Sequence, residues 1–122
     1  MTYKLGIRSL QNLSGVHPDL VAVVKRAIQI TEVDFTVIEG IRSRERQKQL
    51  VAKGASKTMN SRHITGHAVD IAPWPITWEK EAFIPIVEAM KQAADELGIA
   101  VVHGYDWGWD SPHHQLDRKV YP

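Results

Sequence analysis

Apolar and polar positions recur along the chain with two periods, one typical of helices and one typical of strands. Apolar side chains at helical spacing predict a first helix near residues 18–31. The segment before it, through Gly15, we expect to be a loop or arm. The β-branched and aromatic run at 35–38, closed by Gly40, predicts a strand. The first third of the chain thus predicts one helix followed by one strand.

The middle of the chain predicts a helix, a polar loop and a strand in that order. Ser43 precedes a run of good helix formers and is the expected N-cap of a helix at 44–53. Residues 55–66 are mostly polar, and we expect them to form a loop. A short strand at 67–72 should end before Pro73, because proline cannot donate to a sheet ladder.

The C-terminal half carries the longest predicted helix, at 78–97, with Pro85 in its first turn or at a kink. Strands are predicted at 99–102 and 113–116, and an aromatic loop at 105–112 separates them. Helices and a few short strands around one core predict an α+β fold.

Composition narrows the range of functions without identifying one. The 122 residues suit one domain spanning 1–122, and the net charge of +1 gives no electrostatic reason to expect nucleic acid as a partner. Because cysteine is absent, disulfides and thiolate ligands are excluded, and any zinc site must use His, Asp or Glu. We see no secretory signal and no run of the ~20 apolar residues that a membrane span needs, so we expect synthesis in the cytoplasm.

Histidines and aspartates cluster in two segments of the C-terminal half. In the predicted strand of the first segment, alternation puts Asp70 on one face between Ala68 and Ala72. A charged residue in an apolar strand is costly unless it is paired or binds a metal, and small neighbours leave room for an ion. We therefore favour a metal ligand at Asp70 over an aspartate that caps a turn or pairs with an arginine.

The second segment joins Asp110 to His113 across a turn that Pro112 stiffens. Strand alternation weakly favours His113 over His114 as the residue that opens onto a cleft. A zinc ion with two histidine nitrogens and one aspartate oxygen as ligands would keep its fourth tetrahedral position open, as it does in catalytic sites. Asp110 would then lie where a general acid/base is needed. Arg42 would supply positive charge to the substrate or, alternatively, is a solvated loop arginine.

Three motifs of this chain resemble those of one enzyme family. The stretch SRHITGHAVD, residues 61–70, matches the Ser-x-His-x-x-x-x-x-x-Asp pattern of the D-Ala-D-Ala peptidase and phage endolysin metallopeptidases. The sequence DSPH at 110–113 matches the closing motif of that family. GIRSRERQKQL, residues 40–50, is similar to its Gly-x-Arg-Ser segment with a following glutamine, here Gln47. The resemblance covers residues 35–117.

The resemblance implies the small α+β fold shared with the hedgehog signalling domain, in which helices pack against an antiparallel sheet. It implies a phage endolysin with one zinc ion per chain that cleaves peptidoglycan stem peptides, at the L-alanyl-D-glutamate bond. Such an enzyme would stay in the host cytoplasm until the membrane is permeabilised, and we expect a monomer. The resemblance assigns zinc binding to His63, Asp70 and His113, catalysis to Asp110 and Arg42, and substrate binding to Ser61 and Gln47.

Other residues near these motifs have two interpretations each. Trp107 and Trp109 are expected to bind substrate as a cleft wall or else to pack in the core, and His103 is a candidate substrate contact or else structural. The family's Trp-Gly-Gly-Asp-Trp run is HGYDW at 103–107 here, and His114 replaces its usual aromatic residue. Bond specificity is therefore open. The alternatives are a D-alanyl-D-alanine carboxypeptidase or dipeptidase, and a non-enzymatic zinc-binding recognition module.

Overall fold

A computed structural model describes residues 2–122, and these residues contain four α-helices and one four-stranded sheet. The helices are α1 (Ile7–Leu13), α2 (Pro18–Ile30), α3 (Arg44–Ala52) and α4 (Ile84–Leu97), and the strands are β1 (Phe35–Glu39), β2 (Ala68–Pro73), β3 (Val101–His103) and β4 (His113–Leu116). The strand order is β1-β2-β4-β3, and every neighbouring pair is antiparallel. This confirms the predicted α+β class with a small antiparallel sheet.

The hydrophobic core joins α2 and α4 to the apolar face of the sheet. The stripe that predicted α2 is buried as expected, and Leu20, Val23 and Val24 have no exposed surface. Burying one such side chain stabilises the fold by roughly 1.5–3 kcal/mol relative to leaving it in water. Among residues 2–122, no helix has the length and apolarity needed to cross a membrane.

The segment through Gly15 was expected to be a loop or arm, and this prediction is wrong because the segment contains α1. Two polar side chains of α1 bond to the backbone of Val37 on the outer strand β1. Ser9 Oγ accepts from the Val37 N–H at 2.9 Å, and Asn12 Nδ2 donates to the Val37 carbonyl oxygen at 2.8 Å. The helix thus covers the free edge of the sheet, whose backbone groups need partners.

Several element boundaries differ from the predicted ones, among them those of α4, β2 and β3. Lys80–Phe83 forms a 3-10 turn, so α4 begins later than expected, and Pro85 lies in its first turn, where its missing N–H is tolerated. β2 extends to Pro73, which lies beyond the stretch Ala68–Asp70 that pairs with β4, so no ladder bond to β4 needs its missing N–H. β3 begins later than expected because the Ile99 N–H donates to the Ala94 carbonyl and closes the C-terminus of α4.

Candidate metal centre and active-site cleft

Strand pairing brings two of the predicted ligands together in the middle of the sheet. Asp70 on β2 is the direct partner of His113 on β4, so both side chains point to the same face. His63 comes from the loop before β2. Its Nε2 and the Nδ1 of His113 each lie 3.2 Å from the same oxygen, Asp70 Oδ1. One donor atom of each residue lies within 4.8 Å of the other two, so the three could hold a metal ion.

Hydrogen bonds behind the two histidines decide which nitrogen faces this centre. His63 Nδ1 lies 2.8 Å from the carbonyl oxygen of Gly40, and because a carbonyl can only accept, Nδ1 carries the proton. His113 Nε2 lies 2.8 Å from Gln115 Oε1, which leaves Nδ1 facing Asp70. Such partners fix the tautomer and ring orientation of histidines that bind metals.

The electrostatics of the centre favour a cation between the three side chains. Burial alone would raise the pKa of Asp70, but the polar contacts with His113 and His63 and the charge of these rings hold that pKa far below its ordinary value. Burial by itself would lower the pKa of His113, but the hydrogen bond with Asp70 and the negative charge of Asp70 outweigh this effect, so that the pKa is raised. An ionised carboxylate facing two imidazole nitrogens attracts positive charge, and these donor types suit zinc.

Asp110 lies beside this group without joining it. Its Oδ2 is 4.0 Å from His113 Nδ1, and its carbonyl oxygen accepts from the His113 N–H at 3.1 Å across the predicted turn. Burial raises the pKa of the Asp110 carboxyl, and the charge of Asp70 adds to that effect. A carboxyl with a raised pKa is suited to exchange protons near neutral pH.

Close packing of Gly104 holds the Asp110 turn in this place. A β-carbon at position 104 would lie 2.2 Å from the Asp110 carbonyl oxygen and 3.0 Å from the His113 β-carbon. Any larger residue at position 104 would therefore push the Asp110 turn away, so the close approach of the two segments requires glycine here.

Arg42 and Ser61 also lie at the centre. The Nη2 of Arg42 is 3.9 Å from Asp70 Oδ2, and the Arg42 side chain is 10% exposed. Its position excludes the alternative of a solvated loop arginine. The Ser61 hydroxyl accepts from the His63 N–H at 3.2 Å, so it supports the loop that carries this ligand.

A cleft of about 770 Å³ opens onto the candidate metal centre, and the tryptophans of the aromatic loop line this cleft. The Trp107 ring centroid lies 5.5 Å from that of Trp109 and 5.5 Å from that of His113. Trp109 is 76% exposed, so a wall of the cleft describes this pair better than core packing does. Arg42, Ser61, Asp70 and Asp110 line the same cleft.

Gln47 and His103, two candidate substrate contacts, lie in the interior of the protein. The expectation for Gln47 is corrected, and His103 has the structural role that was its alternative. Gln47 has no exposed surface, and its amide bonds to Arg42, Ser56 and Thr58, so it has no free polar atom for a ligand. His103 is 5% exposed, and its Nδ1 lies 2.8 Å from that of the fully buried His114. Burial lowers the pKa of His103 to about 4, which is typical of a packed neutral histidine.

Two residues of the cleft were missed by the sequence analysis. Gln115 could have been found, because strand alternation puts it on the same face as His113, and it is the partner of that ligand. Glu39 could not have been found in this way. It ends an apolar strand in which alternation predicts a core-facing position, but in the structure it lines the cleft and pairs with Arg42.

Comparisons with known proteins agree on one family. The family model that matches residues 1–122 describes a phage L-alanyl-D-glutamate peptidase. The L-alanyl-D-glutamate peptidase of Escherichia phage T5 is 37% identical over 99% of this chain and 94% of its own length. That of Listeria phage A118 is 28% identical over 93% of this chain and 42% of its own length. The crystal structure of the Serratia marcescens L-Ala D-Glu endopeptidase ChiX matches with a TM-score of 0.90 and 45% identity, over 95% of this chain and 91% of that one.

Proposed function

We propose that this chain, which belongs to the phage L-alanyl-D-glutamate peptidase family and hydrolyses peptidoglycan, uses one zinc ion for this activity. The proposed substrate is the L-alanyl-D-glutamate bond of the stem peptides, cut by a single domain spanning residues 1–122. The observation that carries the proposal is the convergence of His63, Asp70 and His113 on the floor of a cleft that also contains Asp110.

The residues of the centre fit zinc as a resident ion. Nε2 of His63, Nδ1 of His113 and a carboxylate oxygen of Asp70 are the donor types that catalytic zinc uses, with three protein ligands. Gly40 and Gln115 orient the two imidazoles from behind. When bound, zinc would polarise a carbonyl as a Lewis acid and lower the pKa of water, so that water becomes a nucleophile near neutral pH.

The other residues of the cleft bind and orient the substrate or move its protons. The Asp110 carboxylate accepts a proton from the attacking water and delivers it to the amine that leaves, as a general base and then a general acid. Arg42 directs its guanidinium at the negative charge that develops on the scissile carbonyl oxygen. Trp107 and Trp109 hold the stem peptide along the cleft, and Ser61 keeps the loop of His63 in place.

Digestion of purified peptidoglycan tests the proposed bond and metal together. Mass spectrometry of the fragments is expected to show new amino-terminal D-glutamate and carboxy-terminal L-alanine. Treatment with a chelator should remove the activity, and added zinc should restore it. Release of D-alanine would identify a carboxypeptidase instead, and intact peptidoglycan would favour a non-enzymatic zinc module. Full activity of protein from which all metal has been removed would refute the metal assignment.

We propose further that the protein is made in the host cytoplasm and reaches the wall once the membrane is permeabilised. The phage origin of both curated relatives supports this. Protein added from outside is expected to lyse cells whose membranes have been permeabilised and to leave intact cells unlysed. Equal lysis of both preparations would contradict the proposal, and heat-inactivated protein is the control.

A further inference from the structure

An irregularity in β1 turns Glu39 toward the cleft. Val37 and Glu39 both have partners on β2, but the residue between them has none. In a regular strand Glu39 would share the face of Val37, which is fully buried in the core. The bulge instead aligns Glu39 with Asp70, which is itself aligned with His113 on the next strand. Bulges commonly re-aim side chains beside active sites, and this one puts Glu39 in the row of the sheet that carries the metal centre.

The carboxylate of Glu39 holds Arg42 from one side. Its Oε1 accepts from Arg42 Nε at 2.8 Å and its Oε2 from Arg42 Nη2 at 2.6 Å, which is a bidentate pair. Gln47 holds the same guanidinium from the other side, because its Oε1 accepts from Nη1 at 2.8 Å. Gln47 is itself anchored, since its Nε2 donates to Ser56 Oγ and to the Thr58 carbonyl oxygen.

The two contacts leave Arg42 ready to act without rearrangement. A guanidinium has five N–H donors, and three of them are used by Glu39 and Gln47. One donor on each terminal nitrogen stays free for a substrate, and Nη2 already lies 3.9 Å from Asp70 Oδ2. A group held in its productive geometry before the reaction loses no rotational freedom in the transition state.

We infer that Glu39 is a positioning residue for hydrolysis, which acts through Arg42 by fixing the guanidinium beside the metal centre. The inference rests on the proposed role of Arg42. The Glu39 side chain is 31% exposed and the Arg42 side chain 10%, and the bidentate geometry allows the pair to contribute to stability as well as to positioning. Loss of the pair should lower the rate of hydrolysis beyond any effect on stability, and the two effects are separated by measuring the rate well below the melting temperature of each variant.

Glu39→Gln tests this directly, because it keeps the shape of the side chain and removes its charge. We expect kcat for peptidoglycan hydrolysis to fall on the order of 10- to 100-fold, since a misplaced group near the reacting atoms costs this much. KM and zinc content should change little, and the variant should remain folded at the assay temperature. Glu96→Gln is the matched control, because it alters the exposed Arg26–Glu96 pair, which has the same 2.6 Å contact and lies outside the cleft.

A double-mutant cycle with Arg42→Ala separates positioning from direct action. If Glu39 acts through Arg42, Glu39→Gln should cost almost nothing further in the Arg42→Ala background. Glu39→Asp, which keeps the charge on a shorter side chain, should recover part of the kcat. A full additional loss in the Arg42→Ala background, or unchanged kcat in Glu39→Gln, would overturn the inference. Wild-type protein without activity would instead refute the proposed function itself.

Discussion

Asp70→Ala should abolish both zinc binding and peptidoglycan hydrolysis. Asp70 Oδ1 is the atom on which both histidines converge, at 3.2 Å from each, so its removal leaves two buried nitrogens without the anion that balances a cation. Changing even the partners behind metal ligands costs about 10- to 100-fold in affinity or activity, so loss of a ligand should exceed about 100-fold. Metal analysis of the purified variant and the rate of wall hydrolysis measure the two effects.

Asp106→Ala is the matched control for this prediction. Asp106 is exposed, pairs with Lys91 and lies outside the cleft, so its loss should leave zinc content and hydrolysis near wild-type values. Circular dichroism of Asp70→Ala should show a folded protein, because Asp70 lies on the sheet face opposite the core residues Val69 and Ile71. Wild-type zinc content in Asp70→Ala would remove this residue from the ligand set.

Asp110→Asn should keep zinc while losing turnover. Its carboxylate lies 4.0 Å from Nδ1 of His113, a proposed ligand, so in the proposed mechanism it exchanges protons without binding the metal, and an amide of the same shape cannot exchange them. General acid/base catalysis contributes typically about 10²- to 10⁴-fold, and we expect kcat to fall within this range. Zinc content and kcat, measured on the same preparation, separate this result from that of Asp70→Ala.

The pH dependence of kcat provides a second readout for Asp110. Because burial raises the pKa of its carboxyl, wild-type activity should rise with pH through a value above the ordinary aspartate pKa of about 3.9, as the base becomes ionised. This rise should disappear in Asp110→Asn. Asp95→Asn, an exposed position on α4, should keep the wild-type profile. An Asp110→Asn variant with unchanged kcat would refute the assigned role.

Most of the site was accessible from the sequence because the residues that carry it lie in short local motifs. His63 and Asp70 are separated by one loop and half a strand, and Asp110 and His113 lie on either side of one turn, so spacing constrains each pair. The ligand number of catalytic zinc and the resemblance to a family suggested that the two pairs meet, but no local pattern required it. Strand pairing of β2 with β4 is the physical link, and no local pattern specifies that pairing.

The prediction of a substrate contact at Gln47 failed, and the sequence did not decide between the two interpretations of His103, for a common reason. Whether a polar side chain faces a cleft or the protein interior depends on partners that are distant in sequence. Gln47 can be buried because Arg42 and the loop at 56–58 bond to its amide. His103 can be buried because the ring of His114 on the neighbouring strand contacts its ring nitrogen. A buried polar group is stable only when such partners are present, and periodicity carries no information about them.

Local sequence patterns were enough to predict the α+β class, the main helices and strands, and the residue types that can bind a metal, because helical and strand periods and donor chemistry are local properties. Only the folded chain shows that α1 covers a sheet edge and that a bulge turns Glu39 from the core to the cleft. It also decided which nitrogen of each histidine faces the centre. These outcomes depend on strand register and on hydrogen bonds between distant segments, which form only when the chain has folded.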